Sequence, residues 1–143
     1  MKLNEAQKAE VKETMRNYGN AYKNKDLKAL LEIFSPDISG FGSGPDEIIN
    51  GIEGFTRQIK RDMNQATIIS VEFTDTKIFG EGNIAWATSG STLVFTTDGK
   101  TNQTINGRST MVLRNSKGSW RIEQLHFSLP YSEQSLGQSF PGA

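Results

Sequence analysis

The chain has 143 residues, the size of one domain, and its 16 basic residues balance 16 acidic ones. This balance gives no electrostatic reason to expect a nucleic acid or an anionic membrane as partner. The absence of cysteine excludes disulfides and thiolate chemistry and fits a reducing compartment. No apolar run approaches the ~20 residues of a membrane helix, and residues 1–13 lack the apolar segment of a signal peptide. We therefore expect a cytoplasmic domain.

Two helices are predicted for the first 36 residues. Asn4 and Gln7 have the spacing of a capping box. Apolar residues then recur at helical spacing, at Val11, Met15, Tyr18 and Tyr22. The two tyrosines are either core residues or donors that line a pocket. Asp26 suits the N-cap of a second helix, whose apolar face runs to Phe34 and which Pro36 ends.

A short strand, a loop and a third helix are predicted for residues 38–65. The loop at 42–46 contains two glycines and a proline, but it lacks the lysine and spacing of a Walker motif, so a turn is favoured over a phosphate site. Residues 46–50 suit a helical turn. Apolar residues at 52, 55, 59 and 63 predict a helix to about Gln65. Its opposite face, with Arg57, Lys60, Arg61 and Asp62, is interpreted as a solvated surface.

From Thr67 onward the hydrophobic period is two, which is typical of strands. Four strands are predicted, at 68–79, 84–97, 101–114 and 120–129, with turns between them. Gly90 and Gly107 lie inside strands, where glycine usually marks a bulge or a bend. The order predicts an α+β fold in which three N-terminal helices pack in the concave face of a strongly curved antiparallel sheet. We expect one domain at residues 1–130 and a tail at 131–143.

The last strand, WRIEQLHFSLP at residues 120–130, contains the one histidine of the chain. Strict alternation places one set of side chains on a single face: Trp120, Ile122, Gln124, His126 and Ser128. This face begins apolar and ends polar, as in a strand that starts in a core and ends in a cavity. His126 is the obvious general acid or base, because the unperturbed pKa of histidine is about 6.5. The alternative is a structural histidine.

The helix hairpin, the helix-to-meander order and the motif W-x-I-x-x-x-H-F-S at residues 120–128 resemble the SnoaL-like members of the nuclear transport factor 2-like superfamily. The segment GSGPDEIINGIEGF resembles the loop and helix start of the same branch. The resemblance covers about residues 5–130 and implies a cone-shaped α+β barrel. Because this fold hosts polyketide cyclases, ketosteroid isomerases, dehydratases and pure assembly domains, it leaves the activity open.

The resemblance implies that residues of three strands face the cavity: Trp86, Thr88, Arg108, Thr110, His126 and Ser128. Tyr22 of the first helix is added to them as a ligand-binding residue. An inward-facing Arg108 would need a carboxylate, from Asp46, Glu47 or an acidic ligand. An outward-facing Arg108 would have no role. The resemblance also implies a homodimer through the outer face of the sheet, which would include Ala85, Ala87, Leu93, Leu125 and Phe127.

Two functions are consistent with these patterns. The first is a dimeric domain that binds a small polar or acidic organic ligand. The second is a cofactor-independent isomerase, cyclase or dehydratase with His126 as general acid or base and Arg108 or a tyrosine polarising a carbonyl. No Asp or Glu falls on the strand faces interpreted as inward, which favours the first function, since isomerases of this type use a carboxylate base. One histidine and no recognisable ligand spacing predict no metal and no cofactor.

Overall fold

The computed structural model describes all 143 residues as three helices and one six-stranded sheet. The helices are α1 (Glu5–Lys23), α2 (Leu27–Ile33) and α3 (Ile52–Gln65). The strands are β1 (Phe34–Phe41), β2 (Ile48–Asn50), β3 (Thr67–Glu81), β4 (Ile84–Thr96), β5 (Gln103–Ser116) and β6 (Ser119–Ser128). The sheet has the order β2-β1-β6-β5-β4-β3 and curls around the helices, which confirms the predicted α+β fold. None of the helices has the length and apolar character needed to cross a membrane.

The ends of the first two helices follow local sequence signals. The Asn4 side chain accepts the Gln7 N–H at 2.8 Å, and the Gln7 side chain accepts the Asn4 N–H at 2.9 Å, so the predicted capping box is confirmed. Asp26 caps α2 by accepting the Ala29 N–H. The helix ends earlier than predicted, because Phe34 already belongs to β1. A buried aromatic residue satisfies a helical or a strand pattern equally, so its position in the apolar series did not distinguish the two.

The segment between α2 and α3 forms a β-hairpin. Strands β1 and β2 pair antiparallel, with Ser39 opposite Asn50. The helical turn predicted at residues 46–50 is therefore wrong, since Ile48–Asn50 form β2. Strand β1 also pairs parallel to β6, with Gly40 opposite Leu125. This long-range parallel pairing joins β1, and β2 through it, to the rest of the sheet, and no local sequence pattern indicates it.

A bulge in β6 changes the side chains that face inward. Strand β5 pairs Leu113 with Ile122 but Val112 with Gln124, so Glu123 is an extra residue in β6. One extra residue reverses the alternation for every residue that follows it. The strict alternation predicted along this strand is therefore wrong beyond Ile122.

Burial on the two sides of the bulge shows the reversal. Ile122 is fully buried before the bulge, and Leu125 is 4% exposed after it, although the two residues are an odd number of positions apart. His126 is exposed. On β4 the small residues face inward, with Ala85 and Ala87 in the core beneath the helices.

At each of the two strand glycines, a side chain of a neighbouring strand lies close to the glycine backbone. The pairing of β4 with β5 runs through Gly90 and Gly107 without a register shift, so neither glycine is a bulge. A Cβ atom on Gly107 would lie 2.4 Å from the ring of Phe127, which shows that the glycine makes room for this ring. The register shift nearest to Gly90 lies on β3, at Asp75, which has a φ of 50°.

Candidate functional site

A cavity of about 190 Å³ lies between helices α1 and α3 and the concave face of the sheet. Because 12 of its 20 lining residues are hydrophobic, the wall is mostly apolar. Polar residues come from α3, the β1–β2 loop and the sheet: Ser43, Glu47, Gln58, Asp62, Ser91, Thr92 and Ser109. Helix α1 adds the hydroxyls of Tyr18 and Tyr22, whose rings are among the 12 hydrophobic residues. An apolar cavity of about 150 Å³ is large enough to bind benzene. A ligand with one ring therefore fits this site.

Asp62 on α3 is one of two partly buried carboxylates in the cavity wall, the other being Glu47. Its Oδ2 accepts the Tyr22 hydroxyl at 2.8 Å, and its Oδ1 accepts the Gln58 amide at 2.8 Å. Gln58 and Asp62 lie four residues apart on one face of the helix. Burial raises the pKa of Asp62 above its ordinary value, and the negative charge of Glu47 adds to this effect. The two hydrogen bonds and the positive charge of Arg61 oppose the shift without cancelling it.

Two tyrosines of α1 face this carboxylate. Burial and the nearby charge of Asp62 raise the pKa of Tyr18 and of Tyr22, so both phenols stay protonated donors. The Tyr22 hydroxyl already donates its hydrogen bond to Asp62. The ring of Tyr18 packs 5.4 Å from that of Phe34, and its hydroxyl makes no hydrogen bond to another protein group. The hydroxyl of Tyr18 is therefore the donor available to a ligand.

Glu47 lies in the loop between β1 and β2, beside Asp62. Its Oε1 accepts the Gln58 amide at 2.8 Å, and its Oε2 accepts the Gly44 N–H. Arg61 lies 3.8 Å from Glu47 and makes two hydrogen bonds, of 2.6 and 3.3 Å, to the exposed Asp46. These bonds to Arg61 hold the pKa of Asp46 below its usual range. A polar chain therefore runs from the surface of α3 to the cavity carboxylate.

The sheet supplies the opposite wall of the cavity. The hydroxyls of Ser91 and Ser109 lie 2.6 Å apart and are buried. The apolar part of this wall includes Leu93, Leu125 and Phe127. The carboxylate, amide and phenol groups thus lie on the helical side of the cavity, and the sheet presents a largely apolar surface to them.

Of the seven predicted site residues, only Tyr22 lies in the cavity wall. The other six occupy outward strand positions: Trp86, Thr88, Arg108, Thr110, His126 and Ser128. Their predicted orientation is wrong. Residues opposite each other on neighbouring strands share a face, and Thr110 pairs with both Thr88 and His126. The wrong assignment of inward and outward faces after the β6 bulge therefore applied to β5 and β4 as well.

The residues predicted for the outer face also lie on the other side of the sheet. Core or cavity positions are occupied by all five: Ala85, Ala87, Leu93, Leu125 and Phe127. They are therefore not available for the dimer contact that was predicted for them. The two faces were exchanged as complete sets, as expected when a single choice of alternation fixes the orientation of a whole sheet.

Arg108 and His126 have surroundings that differ from those predicted. Arg108 is exposed and forms no ion pair within 4.0 Å, while both carboxylates proposed for it lie near Arg61. His126 packs its ring 5.6 Å from that of Phe41 and does not line the cavity. A role for His126 in chemistry stays a prediction, with the side chain placed outside this cavity.

The sequence interpretation missed Gln58 and Asp62 because it assigned Asp62 to a solvated surface. That assignment is wrong, although Arg57 and Lys60 are exposed as predicted. A signal was present, since Gln58 and Asp62 each follow a buried residue of α3, Phe55 or Ile59, by three positions. Polar residues at that spacing border the buried stripe of a helix. Nowhere in the chain do three or more His, Cys, Asp or Glu side chains come together as a metal site.

Comparisons with known proteins identify the fold. The profile of the SnoaL-like domain family matches residues 11–132. No curated protein matches the sequence. Among solved structures, an NTF2-like protein of unknown function from Pseudomonas putida has a TM-score of 0.77 at 17% identity, covering 91% of each chain.

Two further structures carry enzyme names. A candidate dehydratase of the NTF2-like family from Streptomyces avermitilis has a TM-score of 0.78 at 15% identity, covering 90% of this chain and 100% of the other. A candidate scytalone dehydratase from Novosphingobium aromaticivorans has a TM-score of 0.79 at 11% identity, covering 94% and 96%. At such identities the similarity shows the fold alone.

Proposed function

The chain belongs to the SnoaL-like domain family, and within it we propose that this protein moves a proton on a small, largely apolar carbonyl compound without a cofactor. The observation that carries the proposal is the Asp62 carboxylate, which is half-buried in a mostly apolar cavity and ordered by Tyr22 and Gln58. This is the inward carboxylate that the strand pattern lacked, supplied by a helix instead.

Asp62 is suited to general acid–base chemistry. A carboxylate whose pKa is raised by burial accepts a proton more readily at neutral pH, and general catalysis is most efficient when the pKa of the catalyst lies near the working pH. In the proposed step Asp62 removes a proton from the carbon next to the carbonyl. The C–H electron pair forms a carbon–carbon double bond, and the carbonyl oxygen takes up the negative charge.

Tyr18 stabilises that charge in this scheme. Its hydroxyl has no protein partner, stays protonated and faces the same cavity as Asp62. A donor aimed at a developing oxyanion in a site with little water is among the largest contributions to catalysis. The proton on Asp62 then passes to a different carbon of a conjugated enolate, giving an isomer, or to a hydroxyl group on the carbon next to the deprotonated one. In the second course the carbonyl re-forms, the carbon–carbon double bond shifts to that carbon, and the hydroxyl departs as water. The second course agrees with the names of two proteins of the same fold, both candidate dehydratases.

The cavity favours a neutral ligand. Its wall contains two carboxylates, Asp62 and Glu47, and no lysine or arginine. An anionic ligand would be repelled by these charges, and the nearest cation, Arg61, lies outside the cavity wall and is paired with Asp46 and Glu47. The sequence suggested a small polar or acidic ligand, and of these we propose a neutral carbonyl compound rather than an acid.

Exchange of the proton on the carbon next to the carbonyl of 2-hydroxycyclohexanone in D₂O, followed by proton NMR, tests this function. The wild-type protein is expected to accelerate exchange, and Asp62→Asn to lower the protein-dependent rate about 100-fold or more. His126→Ala is expected to change it less than twofold, because its side chain lies outside the cavity. An Asp62→Asn variant that exchanges as fast as wild type would contradict the assignment.

A second candidate function is binding without chemistry. It is favoured by the fact that both oxygens of Asp62 already accept hydrogen bonds from protein groups, an arrangement that also suits a structural carboxylate. Calorimetric titration of the same ketone distinguishes the two functions. Binding by the wild-type protein with no accelerated exchange would favour the binding domain.

We also propose a homodimer through the outer face of the sheet, now with a different set of residues. Phe79, Trp86 and Val112 are consecutive cross-strand partners and form an apolar row on that face. Phe79 is 53% exposed and Trp86 46%. Contiguous exposed aromatic residues are typical of contact surfaces. Sedimentation velocity on the wild-type chain tests for the dimer directly.

A further inference from the structure

The side-chain amide of Gln58 lies between two carboxylates. Its Nε2 atom donates hydrogen bonds of 2.8 Å to Glu47 Oε1 and 2.8 Å to Asp62 Oδ1. An amide nitrogen carries two hydrogens, so these two bonds use both. The carbonyl oxygen of Gln58 receives no hydrogen bond from another protein group, and the residue forms part of the cavity wall.

Charge fixes the orientation of this amide. A half-turn would place its carbonyl oxygen against the oxygens of Glu47 and Asp62, and ionised carboxylates only accept hydrogen bonds. Neither carboxylate is free to move aside, because the Gly44 N–H holds Glu47 and the Tyr22 hydroxyl holds Asp62. The amide nitrogen therefore faces the carboxylates, and the carbonyl oxygen is left as an acceptor.

The loop between β1 and β2 is shaped to hold Glu47 in this position. A Cβ atom on Gly42 would lie 2.9 Å from Glu47 Oε2, and one on Gly44 would lie 2.7 Å from it. Both glycines thus make room for the carboxylate that orients Gln58. The glycine-rich loop, in which the sequence indicated only a turn, is part of the site.

We infer that Gln58 determines specificity: its side-chain carbonyl accepts a hydrogen bond from a hydroxyl or amine group of the ligand, beside Asp62. The inference rests on the proposed function and narrows its substrate class. Tyr18 supplies a donor for the carbonyl of the ligand, and Gln58 supplies an acceptor, so the site suits ring compounds that carry both a carbonyl and a hydroxyl or amine. A ligand without the donor leaves the Gln58 carbonyl unpaired, which is how polar sites reject analogues.

Phenol and toluene form a matched pair of probes, since they have nearly the same size and only phenol carries a donor. Their dissociation constants for the full-length wild-type protein and for Gln58→Met are measured by calorimetric titration. Methionine keeps the length of the side chain without the carbonyl. We expect the preference for phenol over toluene to fall about fivefold in Gln58→Met, the effect of one net hydrogen bond.

Glu47→Gln provides a second variant that retains Gln58. The new amide both donates and accepts, so Asp62 alone still orients the Gln58 amide, and the preference for phenol is expected to fall by a smaller factor. An unchanged preference in both variants, with Asp62-dependent proton exchange intact, would overturn the role of Gln58 alone. Failure of the wild-type protein to bind either probe would overturn the cavity as a ligand site and the proposed function with it.

Discussion

The concave and outer faces of the sheet differ in what they contact. The concave face presents small and apolar side chains to the helices and to the cavity, and the groups suited to chemistry reach that cavity from α1, α3 and the β1–β2 loop. The outer face carries the polar and aromatic side chains that resemble a site in the sequence, including His126 and Trp86. Side chains of catalytic type on a strand therefore do not by themselves identify the face that binds a ligand.

The largest expected effect is on the free energy of unfolding, and it comes from placing an arginine on the concave face; the same change on the outer face is the comparison. Leu125→Arg puts a cation into the core and is expected to lower the free energy of unfolding by about 4 kcal/mol, a loss comparable to much of the stability of a small domain. His126→Arg, at the next residue of the same strand, is expected to change it by less than about 0.5 kcal/mol. Urea denaturation followed by circular dichroism measures both. Equal destabilisation by the two variants would show that the faces are not separated as described.

Changing a residue of the dimer contact proposed for the outer face is expected to have a smaller effect, which is confined to association. Trp86→Arg is expected to weaken dimerisation at least about 30-fold, the loss of one strong contact residue, while leaving the monomer folded. Trp86→Phe is the matched control and is expected to retain most of the association. Sedimentation velocity over a range of concentrations measures both. A Trp86→Arg protein as dimeric as wild type would place the contact elsewhere.

The smallest expected effect concerns pH, and it contrasts Asp62 in the cavity with Asp98 in the exposed turn between β4 and β5. Asp98 accepts the Lys100 and Thr101 N–H groups, and hydrogen bonds lower its pKa to about 2. Burial raises the pKa of Asp62. As pH falls, protonation of Asp62 is therefore expected to raise the stability of the fold, and protonation of Asp98 to lower it.

Linkage fixes these signs. A raised folded-state pKa stabilises the protein below the unfolded pKa, and the stabilisation is lost as pH rises through the folded value. Wild type is thus expected to gain stability over Asp62→Asn as pH falls from 7 to 4. A lowered folded-state pKa stabilises above the unfolded value of about 3.9, so wild type is expected to lose stability relative to Asp98→Asn as pH falls from 4 toward 2. Urea midpoints across this range measure both, and parallel changes would contradict the assigned environments.

Much of the fold was predictable, because local patterns specify local structure. The capping box at Asn4, the cap at Asp26 and the helix ending at Gln65 each depend on residues close in sequence, and all three are confirmed. The short strand predicted from residue 38 is the second half of β1, but β2 was missed, because it has three residues and pairs only with β1. Within the site only Tyr22 was predicted as a ligand-binding residue, with Tyr18 as one of two alternatives, since the other groups are defined by contacts between distant segments.

The sequence by itself determined the α+β class, the helices and the four-stranded meander, since hydrophobic period and turn residues are properties of neighbouring positions. Only the tertiary structure decided which face of the sheet is inside. One extra residue, Glu123, reverses the alternation of β6, and cross-strand pairing couples that orientation to β5 and β4. Tertiary packing likewise brought Asp62, Gln58 and Glu47 together, because helix α3 lies over the cavity and the glycine loop leaves space for a carboxylate.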